Sequence, residues 1–242
     1  MTFGLRSRAF AEFLGTAFLL AAVVGSGIMG ERLSGGNVAI ALLANSVATG
    51  AALVALILTF GAVSRAHFNP VVTLADALQG DLAWHDVPVY LAAQMTGAFC
   101  GVGTAHLMFG LPLFFASHHA RSGGALLWSE FVATFGLLAV ILGCARFRPT
   151  AVPYAVGTYI AGAYWFTAST SFANPAVTLA RAASDTFAGI RPGDAPGFVV
   201  VQIAGAMAAT MCFRWMSAGL SVPTKDSARP VDTQATKVLT ES

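Results

Sequence analysis

The stretch FANPAVTLAR, residues 172–181, and the similar stretch FNPVVTLADA, residues 68–77, decide the fold of this chain. Each places Asn followed by Pro inside a chain with 56% hydrophobic and only 10% charged residues, where a continuous apolar helix accommodates neither residue well. A single Asn-Pro pair would be explained by a loop turn or a helix kink. Two copies in the same nine-residue pattern instead indicate a duplicated structural feature.

The composition predicts an integral membrane protein. The mean hydropathy is +0.71, and the uncharged run over residues 13–30 is long enough to cross about 30 Å of hydrocarbon. A cleaved signal peptide is the alternative for this run, but the run is too long and Glu12 stands at its start. Comparable runs predict six spanning helices, near residues 10–30, 38–61, 88–109, 125–145, 152–169 and 196–219.

Six crossings put both termini on the same side of the membrane, and the basic residues indicate which side. Nine of the 13 Lys and Arg residues fall on the side of the termini. This bias predicts cytoplasmic termini in a multi-pass protein of the cell inner (plasma) membrane. We predict a channel domain over residues 1–220 and a disordered cytoplasmic tail over residues 221–242. The lipid bilayer is the expected partner, and a net charge of +2 gives no indication of nucleic-acid binding.

Comparison of the two halves of the chain reveals an internal repeat. Three blocks recur in the same order, and the paired residues are Glu12 and Glu130, Asn69 and Asn174, and Gln94 and Gln202. Their separations of 118, 105 and 108 residues are nearly equal. We therefore predict a duplicated three-helix unit, with repeat 1 over about residues 8–110 and repeat 2 over about residues 125–219. Because each unit crosses an odd number of times, the second copy must enter from the opposite face.

Each Asn-Pro pair is predicted to begin a short re-entrant half-helix. Residues 70–79 and 175–184 are too few to span a membrane, and Pro is favoured at the first helical position. Such segments are tolerated in a membrane only where protein or a water-filled cavity satisfies their backbone groups. Entering from opposite faces, they would meet near the midplane, with Asn69 and Asn174 offering amide donors. That arrangement suits a neutral hydrogen-bonding solute and repels cations.

These motifs resemble the paired Asn-Pro-Ala motifs of aquaporins and aquaglyceroporins, and the resemblance extends over about residues 8–219. The two motifs consist of Asn69, Pro70 and Val71, and of Asn174, Pro175 and Ala176. The resemblance implies an all-α integral membrane, aquaporin-like fold, with six tilted helices around two half-helices, a pore in each subunit and a homotetramer. Val71 departs from the family, where Ala is usual, and we expect only a slight change in packing.

The resemblance also implies roles for three residues outside the motifs. Glu12 and Glu130 would be structural buried acids that accept hydrogen bonds from the re-entrant loops, since burial without such partners is costly. His67 falls where the family has a histidine that lines the cytoplasmic half of the pore. A packed loop histidine is the alternative for His67, and gating by its protonation is a hypothesis.

Counting from the motifs without gaps places the selectivity filter of the family on four residues, Thr49, Gly162, Ser171 and Val177. Most relatives have Arg where this chain has Val177, and a one-residue slip would exchange Gly162 for Ala163. All four residues are small and uncharged. We therefore expect a wide outer constriction with hydroxyl groups from Thr49 and Ser171.

Arg181 lies one helical turn beyond Val177 and is the candidate to replace the missing arginine. From that position it would reach the outer vestibule rather than the constriction itself. Over that contribution to the outer pore we favour a surface arginine paired with Asp185, four residues later.

A wide neutral filter predicts a passive channel for small neutral solutes, including water and glycerol-like polyols. A filter of small residues without the arginine resembles that of bacterial arsenic-linked aquaglyceroporins. This resemblance implies As(OH)3 and methylated arsenicals as further solutes. A water-selective aquaporin is the alternative. A coupled secondary transporter is less favoured, because no ionisable residue is poised beside either Asn.

Other chemistries find no support in the sequence. An intramembrane enzyme would need a base beside Ser171, and the pair His118-His119 lacks an apparent third metal ligand. The sequence contains three isolated cysteines, Cys100, Cys144 and Cys212. Each lies in an apolar span and is predicted to be buried as a small hydrophobic residue. We therefore predict no enzymatic activity, no cofactor and no metal site.

Overall fold

The computed structural model describes residues 3–218, and every regular element within them is helical. Within this range eight α-helices follow one another: α1 Leu5–Leu33, α2 Val38–Ser64, α3 Pro70–Gln79, α4 Val87–Met108, α5 Gly124–Phe147, α6 Val152–Phe166, α7 Pro175–Arg181 and α8 Ala195–Ser217. A 3-10 turn, Pro149–Ala151, precedes α6. The predicted tail, residues 221–242, lies outside the described residues.

Six of these helices correspond to the predicted spans, and α3 and α7 correspond to the predicted half-helices. Among the described helices, α1, α2, α5 and α8 are each long and apolar enough to cross a membrane on their own. Helix α4 has 22 residues, but Gln94, His106 and three glycines lower its hydropathy. Helix α6 has only 15 residues, about 22 Å at the usual rise per residue. These two helices therefore depend on their neighbours more than the other four do.

Within each repeat, the helix that carries Gln packs closely on the helix that carries Glu. On α4, a Cβ atom at Gly97 would lie 2.3 Å from the carbonyl oxygen of Phe13 on α1. At the equivalent position on α8, a Cβ atom at Gly205 would lie 2.6 Å from the carbonyl oxygen of Phe131 on α5. The glycine three residues after each Gln thus permits contact between the two helix backbones.

The two repeats meet where α2 crosses α6. A Cβ atom at Gly50 would lie 2.7 Å from the carbonyl oxygen of Gly157, and a Cβ atom at Gly157 would lie 2.6 Å from the carbonyl oxygen of Gly50. Such a reciprocal contact is expected for an inverted repeat, in which each half presents the same surface to the other.

Helices α3 and α7 begin alike and end differently. Each begins at the Pro of its motif, with Asn69 or Asn174 as the N-terminal cap. Helix α3 ends before Gly80, whose φ of 84° is readily adopted by glycine. Helix α7 ends at Arg181, three residues earlier than predicted, because the amide groups that follow bond three rather than four residues back.

Substitution of Gly97 by valine is expected to destabilise the protein by at least about 2 kcal/mol, because the added side chain would overlap a backbone carbonyl group of α1. The measurement is the thermal unfolding midpoint in detergent. Gly143→Val on α5 is the control, because no neighbouring atom lies within 4 Å of a Cβ atom at that glycine. Equal midpoints for the two variants would show that the proposed contact between α1 and α4 does not matter for stability.

Candidate pore

The two half-helices meet through their capping asparagines. The Nδ2 group of Asn69 donates a hydrogen bond of 2.8 Å to the carbonyl oxygen of Ala173. In the same way, the Nδ2 group of Asn174 donates one of 2.8 Å to the carbonyl oxygen of Phe68. Each Oδ1 atom accepts from a backbone N–H of its own first helical turn, at 3.1 Å in α3 and 3.0 Å in α7. One N–H of each amide is therefore used within the protein, and one is left for a solute.

The loops before the half-helices hold six non-glycine residues in left-handed backbone conformations. Their φ angles lie between 48° and 71°, and the residues are Arg65, Ala66, Phe68, Thr170, Ser171 and Ala173. The second three follow the first three at a separation of 105 residues, the same as that of the two asparagines. Each such residue costs on the order of 1–3 kcal/mol, so other contacts must hold both loops in place.

Glu12 holds the first loop. Its side chain is fully buried, and four groups donate to its two oxygens. Oε1 accepts from Ser64 Oγ at 2.7 Å and from His67 N at 2.9 Å. Oε2 accepts from Phe68 N at 2.7 Å and from Gln94 Nε2 at 2.8 Å. The two carboxyl oxygens are thus satisfied by the loop and by α4.

Glu130 holds the second loop in the same manner and is also fully buried. It accepts from Phe172 N at 2.8 Å, from Ala173 N at 2.9 Å and from Gln202 Nε2 at 2.7 Å. Gln94 and Gln202 each donate in addition to a threonine of the adjacent half-helix, at 2.8 Å and 2.9 Å. The three repeated blocks therefore form one connected network in each half.

A cavity of about 500 Å³ runs beside the two half-helices. Polar groups of the loops and motifs form part of its lining, and they include His67, Asn69, Ser171 and Asn174. Apolar groups of α1, α2, α5 and α6 also line it, and they include Leu19, Val23, Leu53, Ile57, Leu137, Ile141, Val156 and Ile160. A solute in the cavity would therefore meet hydrogen-bonding groups together with a large hydrocarbon surface.

The two ends of this cavity differ in chemistry. The end near the last residue of α7, called the α7 mouth, is lined by Thr49, Tyr164, Ser171, Val177 and Arg181. The opposite end, called the α3 mouth, is lined by Arg65, His67, Asp76, Asp81 and Arg146.

Three of the four predicted filter residues line the cavity, and Gly162 does not. Thr49, Ser171 and Val177 lie at the α7 mouth. The Ser171 hydroxyl is buried and has no hydrogen-bond partner among the described residues. Gly162 lies on an exposed face of α6, so its predicted place in the filter is wrong.

At the α7 mouth, α6 contributes Tyr164 to the cavity lining, a residue that the sequence analysis missed. The cavity-lining residues of α6 recur every four positions and end at Tyr164, whereas Gly162 is half a turn away. The Tyr164 hydroxyl lies 3.3 Å from Thr49 Oγ1. Large residues, Tyr164 and Arg181, thus line this end of the cavity beside the small residues predicted there.

Arg181 also lies at the α7 mouth, where its side chain is only 2% exposed. Its guanidinium carbon lies 3.4 Å from the centre of the Phe172 ring. The predicted surface pair with Asp185 is wrong, because Asp185 accepts instead from His118, at 2.8 Å from N and 2.9 Å from Nδ1. These hydrogen bonds from His118 hold the pKa of the Asp185 carboxyl below its ordinary value.

The α3 mouth contains a charged cluster around His67. His67 Nδ1 lies 3.1 Å from Thr73 Oγ1, and its Nε2 lies 3.4 Å from Asp76 Oδ2. The other oxygen of Asp76 pairs with Arg65 Nη2 at 3.1 Å. His67 is thus both packed in the loop and part of the cavity wall. The sequence analysis missed Asp76, although its position seven residues after Asn69 puts it on the same helix face as the motif.

The cysteines are less buried than predicted, since Cys100 is exposed and Cys144 and Cys212 are partly exposed. Apolar helix surfaces in contact with lipid account for this exposure. Within residues 3–218, no three His, Cys, Asp or Glu side chains are grouped so as to hold a metal ion.

Two half-helices in an inverted repeat, locked together at their caps beside a continuous cavity, define an integral membrane channel of the aquaporin type. The chain belongs to the major intrinsic protein family, since the model of that family matches residues 2–160. The resemblance drawn from the Asn-Pro motifs is thereby confirmed.

Individual relatives agree with this assignment. Aquaglyceroporin AqpS of Rhizobium meliloti (strain 1021) is 54% identical over 214 residues, which cover 88% of this chain and 91% of that protein. Aquaporin NIP1-1 of Oryza sativa subsp. japonica is 37% identical over 143 residues, which cover 56% of this chain and 47% of that protein. The solved structure of the aquaglyceroporin from Plasmodium falciparum matches with a TM-score of 0.68 and 22% identity, covering 90% of this chain and 97% of that one. This likeness confirms the predicted aquaporin-like fold.

Proposed function

We propose that this protein is a passive channel for small neutral solutes that carry hydroxyl groups, namely water, glycerol-like polyols and As(OH)3. The observation that carries the proposal is the cavity that combines loop and asparagine groups with a hydrocarbon surface. Membership of the major intrinsic protein family and 54% identity to a protein named aquaglyceroporin support a channel of this class.

The mixed lining of the cavity matches the chemistry of a polyol. Hydroxyl groups of the solute would bond the remaining N–H groups of Asn69 and Asn174, while its C–H groups contact the apolar residues of the surrounding helices. An ion would lose its hydration shell beside that apolar surface without equivalent ligands. The lining therefore favours uncharged solutes.

Arsenic-containing solutes are proposed on the same chemical grounds. As(OH)3 is a small triol that is overwhelmingly neutral near physiological pH, so it presents the same kind of group as glycerol. Methylated arsenicals exchange a hydroxyl for a methyl group, which suits the apolar part of the cavity. Transport would follow the concentration gradient of the solute.

A water-selective pore is the second candidate. Tyr164 and Arg181 at the α7 mouth are larger than the residues that the sequence predicted there. If they narrow the path enough, water would pass and polyols would not. The same flux measurement separates the two candidates.

Proteoliposomes that contain the protein are expected to take up water, glycerol and As(OH)3 faster than empty liposomes. Stopped-flow light scattering measures the first two, and arsenic content after filtration measures the third. Uptake should be unaffected by collapse of proton or sodium gradients, because passive flux needs no coupling ion. Glycerol uptake at the rate of empty liposomes with fast water flux would favour the second candidate. No flux of any solute would contradict the proposal as a whole.

We also propose a homotetramer in the cell inner membrane with both termini cytoplasmic. In the single subunit, only 39% of the most apolar 18-residue stretch of α2 is buried, and only 28% of the corresponding stretch of α5. Lipid and neighbouring subunits would cover the remaining apolar surface. The mass of the complex in native mass spectrometry checks the assembly.

A further inference from the structure

We propose that Arg181 is a specificity-determining residue, whose guanidinium group binds two neighbouring oxygens of a passing solute at the α7 mouth. The inference rests on the proposed channel function and names the solute feature that the channel selects. It concerns the arginine one turn beyond the usual filter position, which Val177 occupies here.

Contacts with the protein fix the guanidinium plane. The group stacks on Phe172, with 3.4 Å between the guanidinium carbon and the ring centre. Its Nε donates a hydrogen bond to the carbonyl oxygen of Ala188. One face and one edge of the group are thereby occupied, and the side chain is 2% exposed.

The two terminal nitrogens of Arg181 remain available. Neither has a hydrogen-bond partner among the described residues. Both nitrogens are partly accessible rather than fully enclosed by protein. Because Arg181 lines the cavity, they reach its space. Within residues 3–218, Arg181 forms no salt bridge. Its donors and its positive charge are therefore directed at the contents of the cavity rather than at a carboxylate.

The geometry of the free donors indicates the solute. The planar fork of a guanidinium group matches two oxygens held side by side, as in a pair of adjacent hydroxyl groups. Ser171, the residue next to Phe172, adds a buried hydroxyl without a partner at the same mouth. A lysine at position 181 would supply the charge but neither the fork nor the stacked plane. The fork should therefore select adjacent hydroxyl groups, and the charge should exclude cations.

The test compares two solutes of equal composition, 1,2-propanediol with adjacent hydroxyl groups and 1,3-propanediol with separated ones. Uptake by proteoliposomes is measured above the rate of empty liposomes, together with sodium leak. The wild-type protein is expected to prefer the 1,2 isomer. Arg181→Lys is expected to reduce this preference by at least roughly threefold, through loss of a charge-assisted hydrogen bond, while still excluding sodium. Arg181→Gln should lose the preference and raise the sodium leak, although the half-helix N-termini still oppose cations.

Arg191→Gln is the matched control. Arg191 follows α7 on the same side of the protein, is exposed, and pairs with Asp194 at 2.9 Å. It does not line the cavity, so both readouts should match the wild type. If Arg181→Gln fails to fold, Arg181→Lys alone decides the question.

Two results would overturn the inference while leaving the channel function intact. One is solute flux without any isomer preference in the wild type. The other is an isomer preference that Arg181→Lys leaves unchanged. An absence of flux in the wild type would instead remove the proposed function on which the inference rests.

Discussion

Replacement of Glu12 by alanine is expected to destabilise the protein by at least about 4 kcal/mol, because buried donors that lose their acceptor each cost about 1–3 kcal/mol. The carboxylate accepts from four groups, and two of them are backbone N–H groups of the first re-entrant loop. That loop contains left-handed non-glycine residues, which need such contacts to persist. We therefore expect little folded protein.

The measurement is the yield of monodisperse protein and its thermal unfolding midpoint in detergent. Glu31→Ala is the control, since Glu31 lies on the same helix but is exposed. Glu130→Ala should have a large but smaller effect than Glu12→Ala, because Glu130 accepts from three groups rather than four. Midpoints for Glu12→Ala within a few degrees of Glu31→Ala would contradict the role assigned to the buried acids.

The part of the architecture that could be predicted from the sequence is the part that occurs twice. The repeated blocks around Glu12, Asn69 and Gln94 predict one inverted unit from the sequence alone. In the structure they form a single network that holds a strained loop against a half-helix. A network of this kind constrains residue type and spacing in both halves. It can therefore be predicted from the sequence.

The part that could not be predicted lies at the mouths, where the two halves differ. Gly162 was selected by counting residues, but the face that a residue occupies depends on helix phase, and Tyr164 has the correct phase. The signal was present in the spacing of four from Val152 through Ile160 to Tyr164. Counting residues from the motif without gaps takes no account of this helical spacing.

The misassigned partner of Asp185 has a related cause. Pairing at four residues apart assumes a continuous helix, and α7 ends at Arg181. Beyond that point the chain turns, and His118 from another loop reaches Asp185. Only the three-dimensional structure brings together segments that are 67 residues apart.

The two ends of the cavity carry different charged groups, although the two repeats that form the cavity have the same architecture. At the α3 mouth, the positive charge of Arg65 is balanced by Asp76 at 3.1 Å and Asp81 at 3.6 Å. At the α7 mouth, Arg181 stacks on an aromatic ring, and within the described residues it forms no salt bridge with a carboxylate. Arg181 is therefore expected to contribute to cation exclusion at the α7 mouth, and gating through His67 remains a hypothesis for the α3 mouth.

Replacement of Val177 by arginine is expected to lower glycerol uptake by at least roughly tenfold, which corresponds to about 1.4 kcal/mol in the barrier. Val177 lines the cavity one helical turn before Arg181. An arginine there would fill the path beside Tyr164 and would add a second positive charge on the same helix face. Water is much smaller than glycerol, so its permeability should fall far less. Stopped-flow light scattering on the same proteoliposomes measures both.

Val177→Leu separates bulk from charge, because it enlarges the side chain by one methylene group and adds no donor. We expect it to keep most of the glycerol uptake. Glycerol uptake by Val177→Arg equal to that of the wild type would show that the path is wide at this position or passes elsewhere. A loss of glycerol uptake by Val177→Leu as large as that by Val177→Arg would show that width alone, without charge, sets the selectivity of the α7 mouth.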